Sequence, residues 1–219
     1  MHHPVNFIVA PPAEQRPRAK VFFRPLLALP HLLLVGGPAV LFVREGYPFG
    51  VLGAVAALCA FFDWIAIVVT GSPLRGLDGL KRLYLRWRAR TLAYSALLRD
   101  EYPPFDDGDY PATLELPAPP MTRDRIKVLL RPFFALPHLV VVMFLSLLGM
   151  LALIVAWAVT TITGRMPPSL WRLGRDITAY SLRTEAYLLL IHDEFPPFAL
   201  SDEPSVMAEP AAERPLTSR

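Results

Sequence analysis

From Leu139 to Thr163 the chain runs for 25 residues without a charged side chain. A stretch of 18 or more apolar residues is long enough to cross the roughly 30 Å hydrocarbon core of a bilayer. Val51 to Val69 is a second block of this kind, with one charge, Asp63, in 19 residues. Hydrophobic residues make up 53% of the 219 positions, above the roughly 45–50% usual in soluble domains by a count that includes glycine. The excess sits in these blocks and predicts an integral membrane protein. A cleaved signal peptide does not fit, because Pro11, Pro12 and Pro17 precede the first apolar stretch and the other lies deep in the chain. The single cysteine, Cys59, lies within an apolar block and reads as a small hydrophobe.

An internal repeat constrains the architecture next. The segment HPVNFIVAPPAEQRPRAKVFFRPLLALPH, ending at His31, aligns without gaps to YPATLELPAPPMTRDRIKVLLRPFFALPH, ending at His138. Arg16, Arg18, Lys20, Arg24, Pro25, Pro30 and His31 meet Arg123, Arg125, Lys127, Arg131, Pro132, Pro137 and His138. After a change of length, WIAIVVTG from Trp64 meets WAVTTITG from Trp157, and DEYPPF from Asp100 meets DEFPPF from Asp193. The repeats are placed at 4–105 and 111–198, joined by an acidic linker at 106–110. The tail, 199–219, is rich in Pro, Glu, Ala and Ser and is expected to be disordered.

The RPxxALPH start, the tryptophan and TG pair, and the DE[YF]PPF end together resemble a bacterial transmembrane family catalogued as a domain of unknown function, numbered forty-three eighty-nine, in two tandem copies. The resemblance implies membrane location. It carries no activity, substrate or catalytic residue.

In the first half, Val21 to Val43 and Val51 to Thr70 are apolar and REGYPFG from Arg44 separates them. Basic residues lie before the pair (Arg16, Arg18, Lys20, Arg24) and after it, so the positive-inside rule places both ends of a hairpin in the cytoplasm. The second half is tighter: His138 to Gly164 is 26 positions, against 40 from His31 to Gly71. Residues 128–163 admit two short spans turning near Ser146 to Gly149, a re-entrant hairpin, or one long span. The repeat favours the hairpin.

After each TG the period is helical. Leu77, Leu80, Tyr84, Trp87, Tyr94 and Leu98 share one face, and Leu173, Ile177, Tyr180, Thr184, Tyr187 and Ile191 repeat it. The opposing faces carry Lys81, Arg82, Arg86, Arg88 and Arg90, then Arg172, Arg175 and Arg183. Basic amphipathic helices beside spans read as lying on anionic headgroups. The competing reading packs their apolar faces on the chain's own spans. VNFIVA and ATLELP alternate weakly and are read as short strands pairing across the halves. The fold class expected is therefore an all-α integral membrane protein of two tandem repeats, each a helical hairpin plus an interfacial helix, with a short N-terminal strand per repeat.

Asp63 is the sharpest candidate, because a carboxylate inside a span is costly and suggests function. In a hairpin His31 falls at similar depth, and the pair could lock two helices, relay protons or bind an ion. The second half keeps His138 but has Ala156 where the first has Asp63. Pro30 and Pro137 are expected to kink or end their helices. No nucleophile elbow, phosphate-binding glycine loop, paired CxxC or HExxH motif occurs. The expectation is a non-enzymatic bacterial inner-membrane protein, structural, accessory or lipid-interacting, with no cofactor, metal or nucleic acid and with lipid, a membrane protein or a second copy as partner. A small channel or transporter using Asp63, His31 and His138 is the alternative.

Overall fold

The computed structural model describes residues 3–37, 50–106, 108–120 and 122–200. Among them are β1 (Asn6–Val9), α1 (Arg18–Val35), α2 (Gly50–Thr70), α3 (Leu77–Ser95), β2 (Ala112–Glu115), α4 (Arg125–Thr163) and α5 (Pro168–Leu188). Residues 38–49, which hold the end of the first apolar segment and all of the REGYPFG break except its last glycine, residue 107 of the linker and the tail from 201 lie outside the described residues.

The uncharged run forms one helix. Asp124 caps α4 by accepting from the backbone amides of Ile126 and Lys127 at 2.9 and 3.2 Å. Gly164, at φ 76°, ends it in the left-handed conformation that glycine adopts without cost. The 39 residues between extend about 59 Å at 1.5 Å per residue. The hairpin expected near Ser146 to Gly149 is thus not formed. One glycine among Leu, Met and Ala costs only about 1 kcal/mol in a helix, too little to force a reversal. Gly149 instead allows close approach of α5, since a Cβ there would stand 3.4 Å from Ile177. Pro30 and Pro137 lie inside α1 and α4 and end neither helix.

The first half is not a hairpin either. Along α3, Lys81 meets Asp63 of α2, Trp87 meets His31 of α1, Arg88 reaches the Val35 carbonyl, and Tyr94 meets Arg24. Both α1 and α2 therefore run antiparallel to α3, and so in the same direction as each other. The start of α2 at Gly50 is seated against Leu34 and Gly36. Together α1 and α2 make a rod interrupted after Val35. In the repeat alignment Val35 and Gly50 correspond to Val142 and Met143, neighbours within α4. The extra length of the first half is an insertion at the middle of a rod, not the turn of a hairpin.

The two rods lie side by side and antiparallel. Trp64 donates its indole N–H to the Val128 carbonyl at 2.9 Å, and its repeat mate Trp157 donates to Val21 at 3.1 Å. These reciprocal contacts define a pseudo-two-fold axis perpendicular to the rods. The expected strands form, with β1 and β2 antiparallel and Phe7 opposite Leu114, its own repeat mate, so the axis also passes through the sheet. Helices α3 and α5 cover one face of the rods, and the sheet caps them with Val5, Phe7, Ala112 and Leu114 buried. Tyr84, Leu85, Leu182 and Ile191 fill the core between. Among the described residues nothing covers the opposite face of the rods.

Candidate functional site

The repeated motifs converge into two equivalent stations. Two turns into α1, Arg24 lies buried against the end of α3. It donates to the Arg99 carbonyl at 2.8 Å and to Asp100 at 2.5 Å, and its guanidinium sits 4.7 Å over the Tyr94 ring. In the second half Arg131 donates to the carbonyls of Tyr187 and His192 and to Asp193, and lies 4.4 Å over Tyr187. About two turns further along each rod, a buried histidine stacks on the last residue of the PPF segment. His31 stacks on Phe105 at 4.2 Å and accepts from the Trp87 indole N–H; His138 stacks on Phe198 at 4.2 Å and pairs with the Tyr180 hydroxyl at 2.7 Å.

The termini of α3 and α5 are held in the same way. Leu97 and Leu190 are repeat mates with positive φ, 60° and 59°, a conformation that strains residues with a Cβ. Their carbonyls accept from the buried guanidinium groups of Arg16 and Arg123 at 2.9 and 2.6 Å. Burial lowers the pKa of both arginines, while Asp100 and Asp193 oppose the shift. The first acid of each motif, Asp100 in DEYPPF and Asp193 in DEFPPF, thus serves as the counter-charge. Among the described residues no group of three or more His, Cys, Asp or Glu is placed to hold a metal ion.

Asp63 does not meet His31. Its carboxylate accepts from Lys81 at 2.6 Å and from the backbone amide of Leu74 at 2.8 Å, so α2 is tied to α3 and to the loop between them. Both side chains are buried, 1% and 2% exposed. The rod geometry separates Asp63 from His31 by about 18 helical positions, roughly 27 Å. In the second half the pair is absent as a unit: Ala156 replaces the acid and Gly174 the base.

The basic residues divide. Lys81, Arg88 and Arg183, expected at a membrane surface, are buried. Arg82 pairs with Asp78 one turn earlier, Arg175 with Asp176, and Arg90 donates to the Asp106 carbonyl. Arg86 and Arg172 are exposed. Arg88 donates to the Val35 carbonyl at 2.7 Å and to Glu185 of α5 at 2.5 Å, and Tyr84 donates to the same carboxylate. Burial would lower the Arg88 pKa, but Glu185 and Tyr84 leave it raised. Burial, aided by Glu185, holds the Tyr84 phenol well above its usual range. This network, missed in the sequence, crosses the two-fold between α3 and α5. Glu185 lies off the apolar stripe that the helical period marks on α5, so that period did not single it out.

A third polar feature is His192, packed edge-on to His3 at 5.0 Å. Burial, with smaller contributions from His3, Arg131 and Arg123, pushes its pKa down to about 3 and keeps it neutral.

The fold and these stations define a duplicated helical protein in which, among the described residues, two helices, α2 and α4, are long and apolar enough to cross a membrane. The chain belongs to the family described as Domain of unknown function (DUF4389), whose family model matches residues 39–106 and again 125–199, as tandem copies do. No curated protein and no solved structure matches it.

Proposed function

We propose that this chain is a non-enzymatic component of the bacterial inner membrane that acts through contact with lipid. The observation that carries this reading is the uncovered face of the rods: Phe22, Leu33, Phe61, Phe133, Phe144 and Ile162 are exposed along its whole length. An apolar face of this extent on a monomer marks an interaction surface. A groove of about 430 Å³ between α1 and α4, lined by Pro25, Leu29, Met150, Leu153 and Trp157, opens there and has room for a hydrocarbon chain. The polar residues of the rods favour a structural role over transport. Asp63 is neutralised by Lys81, and His31 and His138 are each closed under a phenylalanine.

Alkaline carbonate extraction of membranes tests the reading. The native chain stays in the pellet. Phe144→Arg with Leu151→Arg, each costing about 2.5–3.5 kcal/mol at hydrocarbon depth, shifts it toward the supernatant. Quantitative extraction of the native chain as a soluble protein overturns the proposal.

A further inference from the structure

The two-fold axis bears on how the rods sit in the membrane. At one end of the pair, Arg18 and Lys20 open α1 beside Arg165, just past α4; the Arg16 amide donates to the Gly164 carbonyl at 2.9 Å. At the other end, Arg125 and Lys127 open α4 beside the chain leaving α2, which carries Arg75; the Arg123 amide donates to Gly71 at 3.2 Å. All six of these basic side chains are exposed. Each end therefore carries three exposed basic side chains, and they leave no excess of Lys and Arg to direct one end inward.

Length argues the same way. A rod of about 59 Å crossing a hydrocarbon core of about 30 Å would tilt by roughly 60°, beyond the 0–40° seen for spanning helices. The covering layer adds a third observation. In a spanning orientation α3 and α5, with exposed Arg86 and Arg172 and the Arg88–Glu185 pair, would flank the rods at bilayer depth.

We infer that the rods lie in the plane of the membrane, immersed in a single leaflet. The uncovered apolar face meets hydrocarbon, the basic clusters at both ends meet the anionic headgroups of that leaflet, and α3, α5 and the sheet stand on the aqueous side. The pseudo-two-fold is then the membrane normal, and the halves are parallel repeats within the membrane. Two helices of about 10 Å diameter and this length occupy on the order of 1,200 Å² of one leaflet and nothing of the other.

This inference rests on the membrane reading above, and the experiment separates the two. In the full chain carrying Cys59→Ala, single cysteines are placed at Lys20 and Lys127, one at each rod end, and at Leu148 near the middle of α4. Sealed right-side-out and inverted vesicles are treated with a membrane-impermeant maleimide. The expected result is labelling of Lys20→Cys and Lys127→Cys from the same face, at least tenfold faster than from the other, with Leu148→Cys unreactive from both. Labelling of the two ends from opposite faces overturns the inference in favour of spanning rods. Labelling at 148 from either face also overturns it; from the far face it points to a hairpin. Absence of the chain from the membrane fraction defeats the membrane reading itself.

Discussion

Replacing Asp63 with alanine leaves the Lys81 ammonium buried, 2% exposed, without its counter-charge. The 2.6 Å contact and the Leu74 amide are both lost. Removing one partner of a buried ion pair typically costs about 3–5 kcal/mol, because the remaining charge is stranded rather than because the pair was worth that much. For a chain of this size each kcal/mol moves Tm by about 2–4 °C, so Asp63→Ala lowers Tm by on the order of 10 °C. The chain supplies its own control: the second half carries Ala156 and Gly174 at these positions. Asp63→Ala combined with Lys81→Met, which keeps apolar volume, recovers most of the loss. The assay is thermal unfolding followed by circular dichroism in detergent, for the native chain, each single variant and the double. A single variant within 1 kcal/mol of native, or a double less stable than Asp63→Ala, refutes the reasoning that the pair locks α2 to α3.

Two further outcomes follow from the stations. Arg24→Leu and Arg131→Leu each remove charge-assisted bonds that hold the end of an amphipathic helix, at roughly 1.5–3 kcal/mol per such bond; comparable losses of Tm are expected, and a loss at one site alone contradicts their equivalence. His192, neutral in the fold with its pKa near 3 against an ordinary value of 6.5, makes stability pH-dependent. The unfolded chain takes up a proton as pH falls below about 6.5 and the folded chain does not, so this contribution is complete above that pH and is lost progressively toward pH 3, at up to roughly 1.4 kcal/mol per unit. His192→Phe flattens that slope in unfolding titrations; an unchanged slope contradicts the assignment.

The elements legible in the sequence were those with a local or repeated signal. The 3.6-residue period marked α3 and α5, the long apolar runs marked α2 and α4, and the weak alternation in VNFIVA and ATLELP marked the two strands. Helix direction was not legible, because it is decided by packing between segments far apart in sequence. The REGYPFG run has the composition of a turn and invited a hairpin. The decisive clue lay in the repeat alignment, where Val35 and Gly50 fall on neighbouring residues of a continuous helix. The site was legible in part. Arg24, His31 and the PPF segment stood out as repeated, but their mutual contacts, across more than 70 positions between Arg24 and Asp100, did not. Asp63 was singled out as an acid within an apolar run, while Lys81, its buried partner, was read as a surface charge. That both disappear together in the second half was the available hint of their pairing.

The most direct measurement is the distance between the two ends of α4. Spin labels at Ile126 and Ile162, which are 68% and 72% exposed, are separated by 36 helical positions, about 54 Å along an unbroken helix. Pulsed electron paramagnetic resonance on the full chain in lipid nanodiscs is expected to give a single distance near 50 Å. A distribution centred at about 20 Å or below, as two antiparallel arms of a hairpin would place these positions, contradicts the rod and with it the in-plane arrangement.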